Sequence, residues 1–237
     1  MRKIISLMCL IFIFNSFLFA KDNLKNSPRC KTVVCIHGFL RSKLSMSMIA
    51  RSFRKDGFDV LNWGYSSRKR KIKEHAELLV MDLKLISQKK PGQPISFVTH
   101  SMGGLVLRSA INNPKCPIEA KMGKIILLAP PNRGSIIARK LGKFKLGRLI
   151  FGRYAGRELM DSSNFDYLGN FPPNLPVLVI AGSFSLNPFI SGKNDGKVAV
   201  DETFLSAPHE HKIIYAGHTF ISFNKKAIYY SKKFIKK

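Results

Sequence analysis

A chain of 237 residues with 45% hydrophobic side chains can enclose one sizeable core, and a single domain is the default at this length. Lys and Arg number 40 against 14 Asp and Glu, a net charge of +26, which draws polyanions such as nucleic acid, anionic lipid heads or lipopolysaccharide but carries no information about fold. No repeat or low-complexity block interrupts the chain, and its four cysteines lack the C-x-x-C or metal-ligand spacing of a zinc or redox module.

The amino end has the layout of a secretory signal over residues 1–20. Arg2 and Lys3 precede an apolar run from Ile4 to Phe14, extended by Phe17 to Ala20, with a cleavage point before Lys21. An uncleaved membrane anchor is the alternative, because the run barely reaches the length that spans a bilayer. Either way the rest of the chain is expected outside the cytoplasm, secreted or periplasmic. Cys30 and Cys116 could then form a bridge, whereas Cys35 sits inside an apolar strand.

Residues 21–30 form a polar linker. From Lys31 to Ile36 runs a β-branched segment, apolar on both faces, which suits a central parallel strand and ends in His37-Gly-Phe39. A helix over Ser45 to Lys55 and a strand over Phe58 to Trp63 follow. Ile72, Ala76, Leu79, Leu83 and Ile86 mark the stripe of an amphipathic helix stopped by Pro91-Gly92. Further strands are expected at Ile95, Lys124 to Ala129, Val177 to Ala181 and Lys212 to Tyr215, with a closing helix over Asn224 to Ile235. Strands near residues 33, 60, 97, 126, 179 and 214, alternating with helices, predict an α/β domain over 31–237: a compact, mostly parallel sheet of about six strands covered on both faces. One insert, about 132–170, breaks the alternation. It interleaves apolar residues with cations and has no acid between Asn132 and Arg157, a pattern that suits a segment near anionic lipid or a helix with a solvated basic face.

The chemistry centres on Thr99-His-Ser-Met-Gly103, a sharp strand-to-helix turn that thrusts Ser101 out of the backbone. The turn departs from Gly-x-Ser-x-Gly, because Thr99 stands where glycine is usual. An acyl-transfer serine needs a base, an orienting acid and two anion-stabilising N–H groups. His218, on the loop after the last strand, is the candidate base. His209 and His211 are expected before that strand at its far end, and His100 to pack or shape the turn. Asp195 in Asn194-Asp-Gly is the candidate acid, with Asp201 and Glu202 as rivals. The backbone N–H groups of Met102 and Phe39 are candidates for the anion hole.

The segments Ile36-His-Gly-Phe39, Phe97-Val-Thr-His-Ser-Met-Gly-Gly-Leu-Val-Leu-Arg108, Leu128-Ala-Pro-Pro-Asn-Arg-Gly-Ser135, Asn194-Asp-Gly-Lys-Val198 and Gly217-His218 together resemble the α/β-hydrolase superfamily, and within it the lipase and esterase group. The resemblance covers roughly residues 31 to 236. It implies the α/β-hydrolase fold, Ser101 as nucleophile, Asp195 and His218 as its partners, Phe39 and Met102 as the anion hole, and a cap or lid over 132–170. The expected activity is carboxylic-ester hydrolysis, on acyl esters or lipids, with no metal or other cofactor. The alternatives are an acyltransferase or thioesterase with the same triad, or a non-catalytic basic module that binds membrane surfaces. An anionic membrane surface met by the basic cap is the expected partner; no specific nucleic acid and no oligomer are expected.

Overall fold

The computed structural model describes residues 32–237. The signal, the linker and Cys30 lie outside these residues, while Cys35 and Cys116 are buried free thiols. Six strands form one sheet: β1 (Thr32–Ile36), β2 (Asp59–Trp63), β3 (Ile95–His100), β4 (Ile125–Leu128), β5 (Val177–Gly182) and β6 (Glu210–Ile214). All neighbouring strands pair in parallel, in the order β2-β1-β3-β4-β5-β6.

The helices between them are α1 (Ser47–Lys55), α2 (Ile72–Lys89), α3 (Met102–Ile111) and, after β6, α7 (Lys225–Lys236). Between β4 and β5 lie three short ones, α4 (Ile136–Gly142), α5 (Lys145–Phe151) and α6 (Ala155–Asp161). Strand side chains alternate between two cores. Val34, Ile36, Phe97, Ile125, Leu127 and Val179 pack with α2 and α3. Val33, Cys35, Val98, Ile126, Leu128 and Ile180 pack with α1 and α7. Burial on both faces explains why the central strands read as unbroken apolar runs rather than alternating ones.

Two boundaries differ from the sequence reading. Residues Lys43–Met46 form a 3-10 turn, so the expected helix begins as α1 at Ser47. Strand β6 begins at Glu210, which places His211 on the strand rather than before it. As an edge strand, largely exposed, β6 lacks the apolar run that marks the others. His211 stacks on Phe204 and bonds Thr203 Oγ1, away from Ser101 in sequence and partners.

The order β2-β1-β3 means that the chain reverses its direction of travel across the sheet between β1 and β3. In open parallel sheets the crevice for ligands lies at such a switch, outside the carboxyl ends of the strands. The loops leaving β1 and β3, which carry Phe39 and Ser101, flank that crevice.

The insert docks onto this rim through core residues, among them Ala138, Ala155, Leu159 and Phe165, and through polar ties. Glu158 of α6 accepts from Ile72 N–H at the start of α2 (2.7 Å), and Ala155 N–H donates to the Arg70 carbonyl (3.0 Å). Phe151 stacks on Phe39 at 5.2 Å between ring centres.

Candidate active site

Ser101 lies between β3 and α3 with φ 53° and ψ −126°, a conformation that costs a non-glycine residue free energy and persists because its surroundings fix it. Its N–H donates to the Leu128 carbonyl at 2.8 Å, and its carbonyl accepts from Gly104 N–H at 2.9 Å. Two glycines make the turn possible. A Cβ on Gly103 would lie 2.7 Å from the carbonyl oxygens of Ile36 and His37, and one on Gly38 would lie 2.9 Å from Ser101 Cβ. The exits of β1 and β3 therefore touch. Thr99 fits where glycine is usual because the neighbouring helix yields the space. It is fully buried, its hydroxyl faces the Ile126 carbonyl at 3.4 Å, and a Cβ on Gly104 would sit 3.2 Å from that hydroxyl.

Three side chains distant in sequence meet here. Ser101 Oγ lies 3.0 Å from His218 Nε2, and His218 Nδ1 lies 2.7 Å from Asp195 Oδ2. The other carboxylate oxygen of Asp195 accepts the N–H groups of Lys197 (3.0 Å) and Val198 (2.8 Å). With both oxygens engaged as acceptors, Asp195 requires a proton on Nδ1 of His218. Nε2 then faces the serine hydroxyl with its lone pair free. A main-chain bond from His218 N–H to the Asp195 carbonyl (2.8 Å) locks the two loops together. Asp195 and His218 are both buried.

His100 reaches the same loop from behind. Its Nε2 donates to the His218 carbonyl at 2.9 Å, and its Nδ1 has no hydrogen-bond partner among the described residues. Burial, and next the neighbouring His218, hold the His100 ring well below the usual histidine range, so it stays neutral. His100 thus ties the serine turn to the His218 loop.

His37 fixes the exit of β1. Tyr65 N–H donates to its Nε2 (3.2 Å), which leaves Nδ1–H to donate to the Gly38 carbonyl (2.9 Å). Tyr65 stacks on the His37 ring at 4.3 Å and donates its hydroxyl to the His37 carbonyl. Because the peptide unit is planar and trans, pinning the Gly38 carbonyl turns the Phe39 N–H the opposite way. Met102 N–H opens α3, where no residue one turn back within the helix can accept it. The sequence reading named the segment 37–39 but not the role of His37 or Tyr65; only Tyr65's placement in space reveals it.

The rival acids act elsewhere. Glu202 accepts from Ile136 N–H (2.5 Å) and Ala199 N–H (2.9 Å), so it anchors the start of α4. Asp201 is exposed. A cavity of about 360 Å³ opens over Ser101 and His218, walled by Phe39, Ile137, Leu141, Phe151 and Leu159. Arg41 and Lys197 also line it. The Lys197 ammonium is held below the usual lysine range, first by loss of water and then by the Arg41 charge, with Asp195 opposing. Neither cation was singled out from the sequence, where both read as part of a general basic excess. Among the described residues no three His, Cys, Asp or Glu side chains gather as a metal site.

The Hydrolase_4 family, described as "Serine aminopeptidase, S33", matches residues 27–162. The fold is similar to that of the mature Bacillus licheniformis lipase BlEst2, at 18% identity and a TM-score of 0.69, covering 87% of this chain and 93% of that one. It is also similar to a Pyrococcus furiosus esterase (16% identity, TM-score 0.60, 89% and 83% covered) and to a metagenomic carboxyl esterase (19%, 0.62, 81% and 65%). No curated protein matches by sequence. With the family spanning more than half of the sequence and a parallel six-stranded sheet beneath the serine turn, the chain belongs to the Hydrolase_4 family of the α/β-hydrolase superfamily.

Proposed function

We propose that this protein is a serine hydrolase of carboxylic esters that works through an acyl-enzyme, with Ser101, His218 and Asp195 as its triad. The observation that carries the reading is the unbroken line of contacts from Ser101 Oγ through the His218 ring to Asp195, at 3.0 and 2.7 Å. His218 Nε2 takes the hydroxyl proton as Oγ bonds the acyl carbon. The oxyanion is held by the N–H groups of Met102 and Phe39. His218 then returns the proton to the departing alcohol oxygen as the acyl C–O bond breaks, and water repeats the sequence to release the acid. Asp195 stabilises the transient imidazolium.

The cavity supports an acyl group rather than a peptide amino terminus. Its walls are largely apolar, and its charged members, Arg41 and Lys197, repel the ammonium that an aminopeptidase must hold. Residues 132–170 serve as the cap in this reading. Phe144, Leu146 and Leu149 on the cap are 66%, 67% and 72% exposed among cations, which supports contact with an anionic membrane surface. Export through residues 1–20 belongs to the same proposal, and amino-terminal sequencing of protein recovered outside the cytoplasm checks it. A fluorophosphonate probe is expected to label Ser101, and Ser101→Ala to abolish both labelling and hydrolysis of p-nitrophenyl acyl esters. Turnover that survives Ser101→Ala sinks the assignment.

A further inference from the structure

A second and larger space adjoins the apolar cavity. It is a groove of about 1350 Å³ between the segments Leu40–Ser42 and Tyr65–Lys69 on one side and the cap helices α5 and α6 on the other. Leu40 and Arg41 line both spaces, so the groove begins where the cavity over Ser101 opens. Seven cations line it, namely Arg41, Arg68, Lys69, Lys145, Arg148, Arg153 and Arg157, against the single carboxylate of Asp161. Asp161 is already paired with Arg157 at 3.0 Å. None of the other six cations has a carboxylate within ion-pair distance among the described residues.

Two of the guanidiniums are aimed by neutral groups: Arg68 donates to the Leu149 carbonyl (2.9 Å) and Arg148 to the Gly142 carbonyl (2.6 Å). Those bonds hold the side chains in place without cancelling their charge. Several uncompensated cations along one concave wall repel one another, and the arrangement is relieved by an anion lying between them. Arginine forks present paired N–H groups in the geometry that phosphate oxygens accept. The groove also carries the hydroxyl-bearing residues Ser42, Ser66 and Tyr154, further donors for a phosphate.

We propose that the substrate of Ser101 is an acyl ester that also bears a phosphate group. The acyl chain fills the apolar cavity, the ester carbonyl lies over Ser101, and the phosphoanion lies in the cationic groove beyond Arg41. The proposal rests on the ester-hydrolase reading and narrows its substrate class. The phosphate can belong to a free phosphoester or to a lipid headgroup in a bilayer. The chemistry of recognition is the same, and the two sources separate by experiment.

The test compares 1-octanoylglycerol with 1-octanoylglycerol 3-phosphate, both monomeric, and then the same acyl ester presented in phosphatidylglycerol or phosphatidylcholine vesicles. The readout is the ratio of kcat/KM on the phosphorylated ester to that on the neutral one. The wild type is expected to favour the phosphorylated ester by about tenfold or more, the scale of one or two charge-assisted hydrogen bonds. The double variant Lys69→Ala, Arg153→Ala is expected to lower that ratio by at least about tenfold. A double variant of equal charge on the remote helix α7, Lys225→Ala, Lys233→Ala, is expected to leave the ratio in place. A preference seen with monomers marks a soluble phosphoester, and one seen only in phosphatidylglycerol vesicles marks a lipid headgroup; both support the groove. A ratio near one in every format, or an equal fall in the α7 variant, overturns it while leaving the esterase reading intact. Loss of turnover on both esters together with no fluorophosphonate labelling overturns the hydrolase reading itself. A measurement on the wild type alone, independent of turnover, does not depend on any variant folding. Inorganic phosphate is expected to raise the wild-type Tm beyond chloride at equal ionic strength, and an equal shift with both salts counts against the groove.

Discussion

The rim that carries Ser101, Asp195 and His218 and the insert of short helices between β4 and β5 are built on opposite plans. On the rim, nearly every polar atom near the reacting group is specified by main-chain bonds: Asp195 by two N–H groups, His218 by the Asp195 and His100 contacts, the Gly38 carbonyl by His37. The insert carries three helices of seven residues each; Ala138, Ala155 and Leu159 join the main apolar core, while Phe144, Leu146 and Leu149 stay open to water. The closely specified side-chain positions lie where the strand exits fix the backbone.

The sharpest way to break this contrast is at the rim. Ser101→Ala is expected to lower kcat by about 10⁵-fold or more, with the fold intact by circular dichroism. Asp195→Asn removes the acceptor that sets the His218 tautomer and is expected to cost about 10⁴-fold in kcat. A loss of only a few fold would mean that another group orients the ring. Gly103→Ala drives a methyl group to 2.7 Å from two carbonyl oxygens and is expected to destabilise the protein by about 1–3 kcal/mol, read as a lower Tm. By contrast Leu149→Ser on the exposed surface of α5 is expected to shift stability by less than about 0.5 kcal/mol. Its effect should fall on binding to anionic vesicles, measured by co-sedimentation.

A gentler test uses pH. His37, His75, His100 and His211 are all held below the usual 6.5, chiefly by burial. On unfolding these rings regain that value, so below it the unfolded chain binds more protons than the folded one. Their contribution is fully present above about pH 6.5 and is lost as pH falls through and below that value. Tm is therefore expected to drop between pH 7 and pH 5, and His100→Gln to flatten that slope. An unchanged slope would remove His100 from the account.

The central strands and the serine turn were legible because burial on both faces writes an apolar run, and because Gly103 and Gly104 follow Ser101 directly after such a run. Asp195 and His218 were legible from their places after β5 and β6. The edge strand β6 was harder: with Glu210, His211 and Lys212 at its start, its boundary carries no hydrophobic signal. The environment that lets Thr99 replace glycine depends on Gly104 in the first turn of α3 and on the Ile126 carbonyl of another strand, so it exists only in three dimensions. The groove is beyond any local reading for the same reason. Its walls come from residues 40–42, 65–69 and 145–161, and in sequence each contributes only to a diffuse positive charge.

The attachment of α4 has a mechanical consequence. Ser135 donates its hydroxyl to the Lys197 carbonyl (3.0 Å), while Ile136 N–H reaches Glu202, so the first turn of this helix is stitched to the strip of chain that also cradles Asp195. Swinging α4 outward at its root would pull on the carboxylate's own support. Any movement that leaves the acid seated must therefore leave the root of α4 in place.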